Sequence, residues 1–114
     1  MVIERQRENV IVLDLSGTIK IGVGEVALRE CVNAILDDKQ RYILLNFADV
    51  SSMDSAGIGE LVACHQRVKN VNGALKLLNV PETVTDSLRF TRLDRLFEVY
   101  DDEEQALSTF PATD

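Results

Sequence analysis

Apolar and polar positions follow two regimes along this chain. Tyr42 to Phe47 is a continuous apolar run bounded by polar residues, the pattern of a strand covered on both faces. Ala74 to Val80 reads as a second such strand. Val2–Arg7 and Val10–Leu15, joined by Glu8-Asn9, predict an antiparallel hairpin whose second strand is the more central and ends at Ser16-Gly17. Between the strands the period changes. Leu28, Cys31, Val32, Ile35 and Leu36 recur at steps of three and four and predict a helix from Glu25 to about Asp38. Ile58, Leu61, Val62, His65 and Val68 do the same from Ser55 to about Asn70, with Glu60, Arg67 and Lys69 off the stripe and Gly73 after the stop. Pro81-Glu82 opens a third helix, with Val84, Leu88 and Leu93 on its apolar side. Leu96–Tyr100 reads as a short strand. Asp101 and Glu104 form a capping box for a last helix carrying Ala106, Leu107 and Phe110, after which residues 111–114 fray.

The resulting order is β-β-α-β-α-β-α-β-α. Strands and helices alternating with short links imply an α/β fold, a mainly parallel or mixed sheet under covering helices. At 114 residues the chain suits one domain, 1–114, with a real core.

Charge narrows the partners. The formal net charge is −7, but residues 101–114 hold five acids and no base, so residues 1–100 are nearly balanced. No basic stripe is available to neutralise phosphates, which argues against direct nucleic-acid binding. The longest clear apolar run is too short for a membrane span, and the first ten residues lack a hydrophobic signal segment, so a cytoplasmic address is the default expectation. Cys31 and Cys64 fit neither a disulfide framework nor a zinc spacing, and His65 beside Cys64 makes a poor chelate. No cofactor is expected.

The candidate chemistry gathers in Asn46 to Val62. This stretch leaves a strand, crosses a polar loop with Ser51 and Ser52, and opens a helix with Asp54-Ser55-Ala56-Gly57-Ile58-Gly59. Near Ser55 about four backbone N–H groups lack intrahelical partners, and with the helix dipole they favour an anion on that hydroxyl. Plain capping by Asp54 or Ser55 would explain the same residues. Two glycines in the first turns, each costing about 1 kcal/mol of helix propensity, suggest that something approaches this helix end. A serine hydrolase is excluded by the absence of a glycine two before Ser55 and by the only histidine lying about 15 Å along the same helix. Gly22-Val23-Gly24-Glu25-Val26-Ala27, with Asp49 after the next strand, imitates a dinucleotide fingerprint, but Gly17 to Ile21 separate it from its strand.

The Asp54–Gly59 hexapeptide resembles the phosphorylatable motif of STAS domains, specifically anti-sigma factor antagonists. The likeness extends to Gly17, the strand with Asn46, the Asn72-Gly73-Ala74 turn and the Leu93–Leu107 tail. It implies a mixed sheet of four or five strands with about four helices mostly on one side. It also implies a domain without an active site, which binds an anti-sigma factor that is itself a serine kinase and so frees a sigma factor. Phosphorylation of Ser55 by that kinase would end binding, and a serine phosphatase would restore it. The binding face would comprise Asp54, Ser55, Ala56, Gly57, Ile58 and Gly59 with Lys20 and Gly22 from the preceding loop. A STAS scaffold that is never phosphorylated is the alternative, and a small dinucleotide-binding domain the remote one. Lys20 departs from the pattern, because many antagonists carry an acid there.

Overall fold

The computed structural model describes residues 1–112, and among them it contains β1 (Val2–Arg7), β2 (Val10–Ile19), α1 (Val23–Asp37), β3 (Tyr42–Met53), α2 (Ser55–Asn70), β4 (Ala74–Leu78), α3 (Glu82–Phe90), β5 (Val99–Tyr100) and α4 (Glu103–Ser108). The five strands form one mixed sheet in the order β1-β2-β3-β4-β5. β1 pairs antiparallel with β2, and every later neighbour is parallel. The expected element order and α/β class hold. Part of the fraying expected for 111–114 lies outside the described residues; Pro111 and Ala112 are irregular and exposed.

Alternation of side chains divides β2 and β3 between two cores. Ile11, Leu13, Leu15, Ile43, Leu45 and Phe47 face α1, α2 and α3, against Leu28, Val32, Leu61, Cys64, Val68, Val84 and Leu88. Val10, Val12 and Leu44 face the other way, under Ala106 and Phe110 at the C-terminal end. Three helices therefore cover one face and α4 the other. Tyr42–Leu45 is central and covered on both sides, which accounts for its apolar run; Asn46, half-buried and bonded to Asp14 at 2.8 Å, marks where the cover on one face ends.

Several boundaries move. β2 does not end at Ser16-Gly17; the ladder with β3 continues to Ile19 through register shifts between Asp14 and Ser16 and between Gly17 and Thr18. Gly17 has φ +84, a conformation glycine adopts without strain, and it lets the strand kink and continue. β3 likewise runs to Met53, so Ser51 and Ser52 belong to a strand. Asn72 rather than Gly73 takes the left-handed position after α2, with φ +60. Gly73 is needed for space, because a Cβ there would overlap the Arg41 carbonyl oxygen. The last helix is capped by Asp102, not Asp101, since it is Asp102 that accepts from Gln105 N–H at 3.1 Å. β5 is shorter than expected, and Phe97 just before it turns into the core.

Candidate functional site

A single residue links β3 to α2. Asp54 has an extended backbone, and its carboxylate accepts the N–H of Gly57 at 2.9 Å, capping α2. Its second oxygen accepts the N–H of Ile21 at 3.0 Å. Its own N–H donates to the Ile19 carbonyl at 3.4 Å. Asp54 thus fastens the end of β2, the loop before α1 and the start of α2 to one another. The Gly57 N–H and then the Ile21 N–H hold its carboxyl below the usual carboxylate range, with a smaller contribution from the charge of Lys20. Ser55 follows as the first residue of α2, exposed. Its hydroxyl stands at the helix start, but the donors there are already shared with Asp54.

The two glycines of the motif divide. A Cβ on Gly57 would overlap the Ile19 carbonyl oxygen, so this chain's own β2 is what approaches there. A Cβ on Gly59 would meet nothing within 4 Å, and that residue is exposed. Gly24, the second glycine of the fingerprint-like string, rests on the Thr18 carbonyl oxygen, where a Cβ would lie 2.7 Å away. Gly22 has φ +95 and turns the chain into α1.

Lys20, Gly22, Ser55 and Gly59 are exposed, Asp54 and Ala56 half-buried, and Gly57 buried. Ile58, at 8% exposure, belongs to the core as its place on the inward stripe of α2 predicts, and it also lines the groove beside Ser55. The outward apolar character of this end comes instead from residues the periodicity did not single out: Ile21 at 76% exposure, Val23 at 89% and Phe90, on α3, at 91%. Their only sequence signal was isolation, two apolar residues in a glycine-rich loop and one two places past the stripe of α3. Between α2 and α3 runs an open apolar groove lined by Met53, Ser55, Ile58, Gly59, Ser87 and Phe90, among others. Among the described residues no three His, Cys, Asp or Glu side chains converge as a metal site would require.

A family model for the STAS domain matches residues 2–106. This chain belongs to the STAS domain family. Within it, the chain is 33% identical over 95 residues to the anti-sigma-B factor antagonist of Bacillus subtilis, covering 83% of this chain and 77% of that one. Its fold is similar to the crystal structure of TM1081 from Thermotoga maritima, with TM-score 0.88 at 24% identity over 96% of this chain and 93% of that one. It is also similar to the Bacillus cell fate determinant SpoIIAA in its phosphorylated form, with TM-score 0.75 at 22% identity over 95% and 97%. The family is that of the anti-sigma factor antagonists.

Beneath the Ser55 end, this STAS domain carries a charged tie between α1 and α2. Glu60, expected off the apolar stripe, has a side chain only 6% exposed. It accepts from Arg29 Nε at 2.7 Å and from Arg67 at 2.8 Å, while Arg29 also holds Glu25 at 2.7 Å. Burial pushes the Glu60 carboxyl up, but the bonds from Arg67 and Arg29 outweigh it and hold the group below its usual range. Cys64 takes the fully buried place and His65 is half-buried against Phe97, although either spacing fits the stripe. Burial pushes the Cys64 thiol up to about 12, and the protonated sulfur joins the same tie, donating to Glu60 at 3.4 Å and accepting from Arg67 at 3.2 Å.

Proposed function

We propose that this domain is a phosphorylation-switched antagonist: unmodified, it binds an anti-sigma factor with serine kinase activity in the cytoplasm, and phosphate on Ser55 ends the binding. The observation that carries this reading is the exposed Ser55 on the first residue of α2, at the mouth of the apolar groove it shares with exposed Phe90, and next to Asp54, which holds the loop of exposed Ile21. Relatives named as anti-sigma factor antagonists, and SpoIIAA described in a phosphorylated form, support it. The domain serves as ligand and substrate, without a catalytic centre of its own. In the modification, Ser55 Oγ would form a bond to the γ-phosphorus of ATP as the bond to the bridging oxygen breaks. ADP leaves, and the hydroxyl proton passes to a base of the kinase. A serine phosphatase reverses the step by hydrolysis.

The binding face in this reading comprises Lys20, Gly22, Asp54, Ser55, Ala56 and Gly59, extended by Ile21, Val23 and Phe90; Gly57 and Ile58 shape it from beneath. Phosphate adds about −1.5 to −2 charges at pH 7. Burying that charge against a partner without a matching cation costs several kcal/mol, and each 1.4 kcal/mol is tenfold in affinity. Capture of the partner from the native cytoplasm, identified by mass spectrometry together with the state of Ser55, is the test. Against that captured kinase, Ser55→Asp is expected to bind more than tenfold more weakly with little change in melting temperature. Ser55→Ala keeps the binding and loses its regulation. Equal binding by wild type and Ser55→Asp would point to a scaffold that needs no phosphate.

A further inference from the structure

We propose that Asp54 couples the charge on Ser55 to the position of the Lys20–Gly22 segment: phosphate on Ser55 opens the Asp54–Ile21 hydrogen bond and loosens the loop that presents Ile21 and leads into Val23, the first residue of α1. The inference rests on Ser55 being the phosphorylated residue and deepens that reading by naming how the face responds. Three observations carry it. The loop before α1 is fastened to the start of α2 by the Asp54 carboxylate, through Ile21 N–H at 3.0 Å. Its ends are fixed: Gly57 packs against Ile19 and Gly24 against Thr18, and the Lys20 and Gly22 carbonyls accept the N–H groups of Glu25 and Val26 at 3.0 Å, which leaves the Ile21 N–H held by Asp54 alone. The freed segment would therefore be short and bounded. The residues it displays, Ile21 and Val23, are among the most exposed large apolar side chains of the chain, so their placement matters to whatever docks beside Ser55.

The coupling is electrostatic. A phosphate on Ser55 would stand next to a carboxylate already drawn to the same helix start, and two anions would compete for the amide donors of that turn. Asp54 already holds the Gly57 N–H, which stays close to either anion. The Ile21 N–H is the contact that can be given up, because it belongs to an exposed loop and can turn to water. Lys20, one residue before Ile21 and acting on Asp54 through its charge, is drawn toward the phosphate and moves the loop with it. Asp54 is a positioning residue in this scheme.

The test uses the full chain alone, isotopically labelled, with phosphoserine genetically encoded at position 55, and reads amide hydrogen exchange residue by residue. Asp54→Asn supplies the complementary arm. Asparagine caps helices about as well as aspartate, but Gly57 and Ile21 donate to separate carboxylate oxygens, and the amide replaces one of these with an NH2 that cannot accept. Exchange at Ile21 is expected to quicken at least tenfold in the phosphorylated chain and in Asp54→Asn. Leu44 and Leu45 should keep wild-type protection in both, and Gly57 should stay protected in Asp54→Asn. Unchanged protection of Ile21 on phosphorylation overturns the proposal, and so does a uniform rise across the core. Because the phosphate is installed rather than acquired, the result is independent of whether a kinase partner is ever captured.

Discussion

Single residues at the start of α2 divide sharply between those that build the site and those left free to be touched. Gly57 and Gly59 read alike in the sequence, yet only Gly57 lies where a side chain would strike the backbone of β2. Gly57→Ala is therefore expected to destabilise the domain by about 3 kcal/mol, since the obstructing atom is a carbonyl oxygen that cannot swing aside. Gly59→Ala, in open space on a helix, should instead stabilise by about 0.5–1 kcal/mol. Urea midpoints of the two variants check the pair: an unchanged or raised midpoint in Gly57→Ala would show that Gly57 does not hold the close contact described, and a lowered one in Gly59→Ala that its surroundings are not open. Ser55 itself was legible from its motif. The exposure of Ile21, Val23 and Phe90 was not, because exposure depends on how α1, α2 and α3 are set side by side. Local spacing carries no record of that.

At the scale of elements, the order of strands and helices was readable because each apolar run is bounded by its own turn chemistry. The lengths of β2 and β3 were not. Ser16-Gly17-Thr18 and Ala48 to Ser52 have loop-like composition, but they pair in parallel through bulges beyond the part of the sheet that α4 covers, where polar side chains can face solvent. Glu60 misled for a related reason: a charged residue looks solvent-bound until two arginines from different turns of two helices converge on it. That tie joins α1 to α2, the two helices whose starts flank the candidate site. Its pH dependence follows from sign. Glu60 is held below its ordinary value in the folded chain, as are Asp14 and Glu103, each chiefly by a hydrogen bond from Arg5. The stabilisation is complete above about pH 5, above the values these carboxyls have in the unfolded chain, and is lost as pH falls through their lower folded values. Stability should thus fall steeply below about pH 4. Glu60→Gln should cost about 2 kcal/mol at pH 7, below the full cost of breaking a buried pair because both arginines are partly exposed, and should flatten the acid limb. Denaturant titrations from pH 3 to 7 decide it: an acid limb as steep in Glu60→Gln as in wild type would remove Glu60 from the account.

For the whole molecule, what matters is that the central strands serve two cores at once. The larger lies under α1, α2 and α3 and carries the Ser55 end. The smaller, of Val10, Val12, Leu44, Leu78, Ala106 and Phe110, lies under α4 on the far face. The helix there is only six residues long, too short to persist without docking, and it is held from three directions. Arg5 bridges Asp14 at 2.6 Å and Glu103 at 2.7 Å, and Arg7 pairs with Glu104. Lys76, buried on β4, donates to the Thr109 carbonyl at 3.1 Å and to its hydroxyl at 2.9 Å, and lies 4.9 Å from the Phe110 ring centroid. Because Leu44 and Leu45 are neighbours on one strand, uncovering the face of the first withdraws support from the strand that carries the second. The two cores should then melt together as one unit. Phe110→Ala, which removes the ring that closes the smaller core, is expected to cost about 3 kcal/mol and to lower the melting temperature by about 10 °C. Unfolding followed by far-ultraviolet circular dichroism and by a probe placed at the Ser55 end should give superimposable transitions in wild type and variant. Loss of amide protection confined to α4, with the Ser55 end melting as in wild type, would mean instead that the far face is an appendage and the sheet needs only one covered side.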